Sequence, residues 1–278
     1  DERGDIGPKV EKVRAEMYLA LAFKWSLAYD EQYQNCLKKA LAECAEVKPA
    51  VEAIRKARAE MHLTVAAKCI LDNEEQYQNS LNKALAECAG IQPQVEAIRK
   101  ARAEMHLAVA NKCSLADEKQ YQSSLGKALS ECAGVQPQVE AMRKARAEMH
   151  LAVAVKCTLD NEEQYQSSLS KALSECAGVQ PQVEAIRRAR AEMHLAVAAK
   201  CTLDNEAQYQ SSLSKALSEC AGVQPQVEAM RKARAEMHLA VAAKCTLIDE
   251  NQYQSILVKA LDEWNGIKSA VDESRKAR

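Results

Sequence analysis

Five times along the chain a histidine stands seven residues before a cysteine. The histidines are His62, His106, His150, His194 and His238, and their partners are Cys69, Cys113, Cys157, Cys201 and Cys245. Imidazole and thiolate are ligands for zinc and for haem iron. Seven residues of helix put both side chains on one face but separate them by roughly 10 Å along the axis. One such pair therefore cannot close on a single ion. A ladder of metal or haem sites would need ligands from neighbouring helices, with the five histidines as its candidates. The default expectation is a boundary histidine bonded to the next helix, and no cofactor is expected.

A second cysteine series, Cys44, Cys88, Cys132, Cys176 and Cys220, completes a ladder of five and five. Tryptophan stands where each series would continue, at Trp25 and Trp264. Pairing 44–69, 88–113, 132–157, 176–201 and 220–245 would give every ladder thiol a mate. Helical rise objects, because it puts those partners roughly 30 Å apart, and a disulfide needs Cα atoms within about 7 Å. Bridges between successive units at one edge, such as Cys176 with Cys220, start from about 9–10 Å. The remaining expectation is that these thiols are small buried hydrophobes, with the two tryptophans covering the ends. Cys36 stands apart. It replaces Ser80, Ser124, Ser168 and Ser212 and is the candidate for a bond between chains, unless it is simply a serine-like surface position.

Arg187, Arg188 and Arg190 crowd one helix with Glu184 and Glu192. An ion-pair network is expected, with a groove of Arg187, Arg190 and His194 for an anionic partner as the alternative. Tyr165 and its copies are expected to pack inward with the hydroxyl at a polar edge. No nucleotide loop, zinc-protease motif, nucleophile elbow or CxxC is present. A Cys–His spacing repeated five times suits a lattice better than one activated nucleophile, so the chain is read as no enzyme.

The elements that carry these residues come from a tandem repeat. Residues 160–203 recur as 204–247 with three changes, at Ala207, Met230 and Lys232. Copies at 28–71, 72–115 and 116–159 fix the period at 44. Residues 1–27 read as an N-terminal capping half-repeat and 248–278 as a truncated C-terminal cap. Each unit reads as two helices. Helix A runs about 161–177, with Asp160 as N-cap, Glu163 completing a capping box and Gly178 as a left-handed stop. Helix B runs about 181–202, opened by Pro181. Tyr165, Leu169, Ala172, Leu173 and Cys176 form one stripe on helix A. On helix B the apolar arc is wider: Val183, Ala185, Ile186, Ala189, Met193, Ala196, Val197 and Cys201, extended onto the other side by Ala191, Leu195 and Ala198. The predicted fold is all-α: an α-solenoid of about six helix-turn-helix repeats with atypical caps. The period lies in the range of HEAT and armadillo units, but the residues that identify those families are absent.

Composition narrows function further. Thirty-eight basic against 39 acidic residues leave a net charge of −1, so no basic field exists for nucleic acid. No apolar run is long enough to span a membrane. One Phe and 4% aromatics leave the interior to Ala, Leu, Val, Met and Cys. Eleven cysteines and a start at Asp1 rather than Met favour a secreted chain over a cytoplasmic one. The expected function is a structural array, self-assembling and cross-linked through thiols. A scaffold for a peptide, lipid or other small apolar ligand is the alternative, and metal or haem binding a third.

Overall fold

The computed structural model describes residues 6–246 and 248–277, with the side chain of Ile6 left aside. Among them the fold is all-α, a helical repeat of solenoid type. Thirteen helices alternate between long B and short A elements. They are α1 (Ile6–Lys24), α2 (Asp30–Glu43), α3 (Lys48–Lys68), α4 (Glu74–Glu87), α5 (Gln92–Lys112), α6 (Glu118–Glu131) and α7 (Gln136–Lys156). There follow α8 (Glu162–Glu175), α9 (Gln180–Ala199), α10 (Glu206–Glu219), α11 (Gln224–Ala242), α12 (Glu250–Glu263) and α13 (Lys268–Ala277). Contacts divide the chain into two compact units after Met142, inside α7.

Within each unit the closest neighbours are a helix B and the helix A that follows it: α1 with α2, α3 with α4, α5 with α6, α9 with α10 and α11 with α12. The packed hairpin is thus offset by half a period from a unit written as A then B. One core shows the logic. Ala59, Leu63, Ala66 and Cys69 from the second half of α3 meet Tyr77, Leu81 and Ala84 of α4, and Ile91 and Val95 at the start of α5 close the cluster. On α4 the tyrosine, leucine and alanine fall at i, i+4 and i+7, one helical stripe. Full burial of such a leucine is worth about 1.5–3 kcal/mol.

The A-to-B turn differs from the capped stop expected at Gly178. Helix α8 ends at Glu175, Cys176 is extended (φ −150°, ψ 106°) and Ala177–Val179 form a single 3-10 turn. No described glycine has positive φ, and Glu46 occupies the same position in the first repeat. The extended cysteine supplies the change of direction, so no left-handed residue is needed. The N-cap also shifts. Asn161, not Asp160, flanks α8, and it makes no side-chain capping bond. Proline does open helix B, in the first turn of α3, α5, α9 and α11.

Helix B buries a narrower face than its composition implies. Val183, Arg190, Ala191, His194, Leu195 and Ala198 are buried on α9, while Ala185, Ala189, Met193 and Ala196 are exposed. Buried arginine and histidine replace four apolar residues of the expected arc.

Candidate functional site

The repeated polar centre is an arginine that reaches the core from the middle of each helix B. Arg58, Arg102, Arg146, Arg190 and Arg234 are all at most 4% exposed. On α5, the Arg102 guanidinium lies 4.0 Å above the Tyr77 ring of α4. Its Nη2 donates to Glu74 Oε2 at 2.7 Å and to the Leu71 carbonyl at 3.2 Å. Its Nε sits 3.5 Å from Glu131 Oε1 of α6, an ion-pair contact without hydrogen-bond alignment. Tyr77 closes the ring of contacts by donating from its hydroxyl to Glu131 Oε2 at 2.9 Å. One guanidinium thus joins the loop before helix A, that helix and the helix A of the next repeat.

The electrostatics follow from burial. Burial lifts the Glu131 carboxyl above its ordinary pKa, against the bond from Tyr77 and the charge of Arg102. Tyr77 is also raised, first by burial and then by its bond to Glu131. His106, one turn beyond Arg102, is lowered by burial and then by Arg102 and Lys127, so the neutral ring is favoured. His62, His194 and His238 are lowered in the same way.

These contacts decide among the sequence expectations. Arg190 is spent on Glu162, Glu219 and the carbonyls of Thr158 and Leu159. It is therefore not free to line an anion groove. The five histidines, His150 among them, are 4% exposed, and His62, His106, His194 and His238 stand beside an arginine and a carboxylate.

The thiols take up separate positions. Those ending helix B donate Sγ–H to a carbonyl four residues back: Cys69 to Val65 at 3.3 Å, Cys113 to Val109, Cys157 to Val153, Cys201 to Val197 and Cys245 to Val241. Those ending helix A, Cys44, Cys88, Cys132, Cys176 and Cys220, are half-buried against their cores. Cys44 and Cys69 flank the unbroken α3 of 21 residues, roughly 30 Å of rise, which no disulfide spans.

The position of Cys36 is not a surface one, since Ser80, Ser124, Ser168 and Ser212 are buried there. Cys36 itself packs against the first core. Trp25 and Trp264 are half-buried. Trp25 lies 5.3 Å from the Tyr29 ring, and Trp264 packs on the last core with Lys232 over its ring.

Apolar clefts and one helix face remain open. Between α1 and α3 a cleft of about 220 Å³ is lined by Ala22, Phe23, Trp25, Tyr33, Ile54, Ala57, Arg58 and Met61. Its equivalent between α3 and α5, of about 80 Å³, has Ala66, Ala67, Cys69, Tyr77, Ile98, Ala101, Arg102 and Met105. On its other side α1 exposes Val10, Val13, Met17 and Leu21, a single stripe at helical spacing.

No family model, curated protein or solved structure matches the chain. Its surfaces and polar centres must be interpreted from their own chemistry. Among the described residues one group has metal-ligand geometry: Glu206, His238 and Glu263 offer atoms all within 4.8 Å of one another. Glu263 is pushed up to about 7, first by burial and then by its neighbour Glu206. The sequence reading named His238 but neither glutamate. The signal was present: Arg190 is in phase with Val183 and Ala198 on helix B, so a buried arginine required buried acids at the same period.

Proposed function

We propose that the chain is a non-catalytic structural or assembly protein, an α-helical repeat array that associates with further copies of itself. One observation supports this above the others. Val10, Val13, Met17 and Leu21 of α1 occupy the register of Ile54, Ala57, Met61 and Val65 of α3. On α3 the first three of those border α1 across the interhelical cleft. On α1 their counterparts stand exposed, Met17 at 63% against 50% for Met61 on α3. This face copies an internal joint, with Val13 standing where Ala57 does. Covering it with another copy would remove apolar surface from water at about 25 cal/mol per Å².

Sedimentation velocity over a concentration series tests the proposal. Self-association that is abolished by Val13→Glu with Met17→Glu supports it. A chain that is monomeric throughout, with no change in the double variant, refutes it.

A second reading, a scaffold for apolar ligands, is favoured by the recurring methionine-edged clefts. Methionine adapts to irregular apolar partners. The clefts of about 220 and 80 Å³ suit single side chains of a peptide, while the one between α1 and α3 bordered by Leu19, Phe23, Ala50 and Ile54, about 580 Å³, lies within the roughly 300–1,000 Å³ of small-molecule pockets. Native mass spectrometry of the purified chain separates this reading from the first. A retained adduct supports it, and a bare mass counts against it.

A further inference from the structure

In the last complete polar centre one contact of the series is broken. Tyr33, Tyr77 and Tyr165 each donate to the carboxylate of the next helix A, at 3.2, 2.9 and 3.1 Å. Tyr209 makes no such bond to Glu263. Its hydroxyl, Glu263 Oε2 and His238 Nε2 are all buried, and none has a hydrogen-bond partner among the described residues. Three orphaned polar atoms in one centre carry a large desolvation cost, about 1–3 kcal/mol for each neutral group and more for a charged one. The site has one solvent-facing side, because the Glu206 side chain is 48% exposed.

We propose that Glu206, His238 and Glu263 bind one divalent transition-metal cation of the zinc or cobalt class. Two carboxylate oxygens and one imidazole nitrogen are the donor set that suits such ions, and the nitrogen disfavours calcium and magnesium. The three residues come from α10, α11 and α12, so the ion would tie three helices together. Arg234 acts as a positioning residue. Its Nη2 donates to Glu206 Oε2 at 2.8 Å, and its Nε lies 3.2 Å from Glu263 Oε1. Gln210 donates to Glu206 Oε1 and Glu263 Oε1 at 2.8 and 3.1 Å. These contacts leave Glu263 Oε2 and His238 Nε2 directed at the same space.

The test is titration of the reduced, chelator-stripped full chain with Co²⁺, followed by its electronic absorption and X-ray absorption spectra. One nitrogen- and oxygen-ligated ion per chain is expected, with at least about a tenfold loss of affinity in His238→Gln, since even outer partners of metal ligands are worth that much. Glu206→Gln, at the exposed side, serves as a second variant should the buried one misfold. His106→Gln, in a copy whose tyrosine bond is intact, should leave that ion in place. Absence of binding, binding unchanged in both ligand variants, or a sulfur-containing shell overturns the proposal.

Discussion

Arg102 of α5 stacks its guanidinium 4.0 Å above the ring of Tyr77 on α4, while both residues contact Glu131 on α6. The relationship recurs with Arg58 over Tyr33 and Arg190 over Tyr165, again at 4.0 Å. It makes a polar joint out of residues that a hydropathy pattern would place outside.

Removal of the arginine should therefore be among the most damaging single changes. Arg102→Met strands Glu131 in the core and loosens Glu74, and breaking a buried pair from one side costs about 3–5 kcal/mol. Urea unfolding followed by circular dichroism measures it. Arg188→Met is the control. Its ion pair with Glu192 is largely exposed, and such pairs are worth about 0–1 kcal/mol.

Tyr77→Phe keeps the ring under Arg102 and removes only the donor to Glu131. A hydrogen bond to a charged group contributes about 1.5–3 kcal/mol, and the same unfolding experiment should show a loss of that order. Tyr209→Phe should cost less, because Tyr209 makes no bond to Glu263 that could be lost.

His106 should make the protein sensitive to acid. Its pKa is lowered in the fold by burial and then by Arg102 and Lys127, with Glu74 opposing. The stability it contributes as a neutral ring is complete above its unfolded pKa of about 6.5. That contribution is lost as pH falls through the lower folded value. Thermal unfolding of wild type and His106→Gln on both sides of that range should show the gap between them narrowing on acidification. A gap that widens would reverse the sign.

Thiol reactivity should follow position. Cys69 and Cys157 are buried, so they should alkylate most slowly in the native chain, and all eleven cysteines should react once it is unfolded under reductant. Peptide mapping without reductant should recover no 44–69 or 176–201 link, since 20-residue or longer helices stand between those partners.

Much of the fold was legible because its signals are local and repeat. The 44-residue period, proline at the start of helix B and the Tyr–Leu–Ala stripe of helix A each fix a nearby backbone choice. The centre was not legible, because its partners lie far apart. Glu131 is 29 residues beyond Arg102, and nothing local marks it as buried. Gly178 misled for the opposite reason. Its type suggested a left-handed stop, but the extended Cys176 turns the chain first. Helix B looked broadly apolar because exposed alanine at positions 185, 189 and 196 resembles core alanine in composition alone.

The central functional claim is that the outer face of α1 is covered by another copy of the chain. Methionine methyl resonances report on it directly. Met17 lies on that face, and Met61, Met105, Met149 and Met193 mark equivalent positions elsewhere. As the protein is concentrated, the Met17 signal should shift and broaden while Met105 holds still, and Val13→Glu should suppress the change. A Met17 signal that stays fixed over the whole range would contradict the claim.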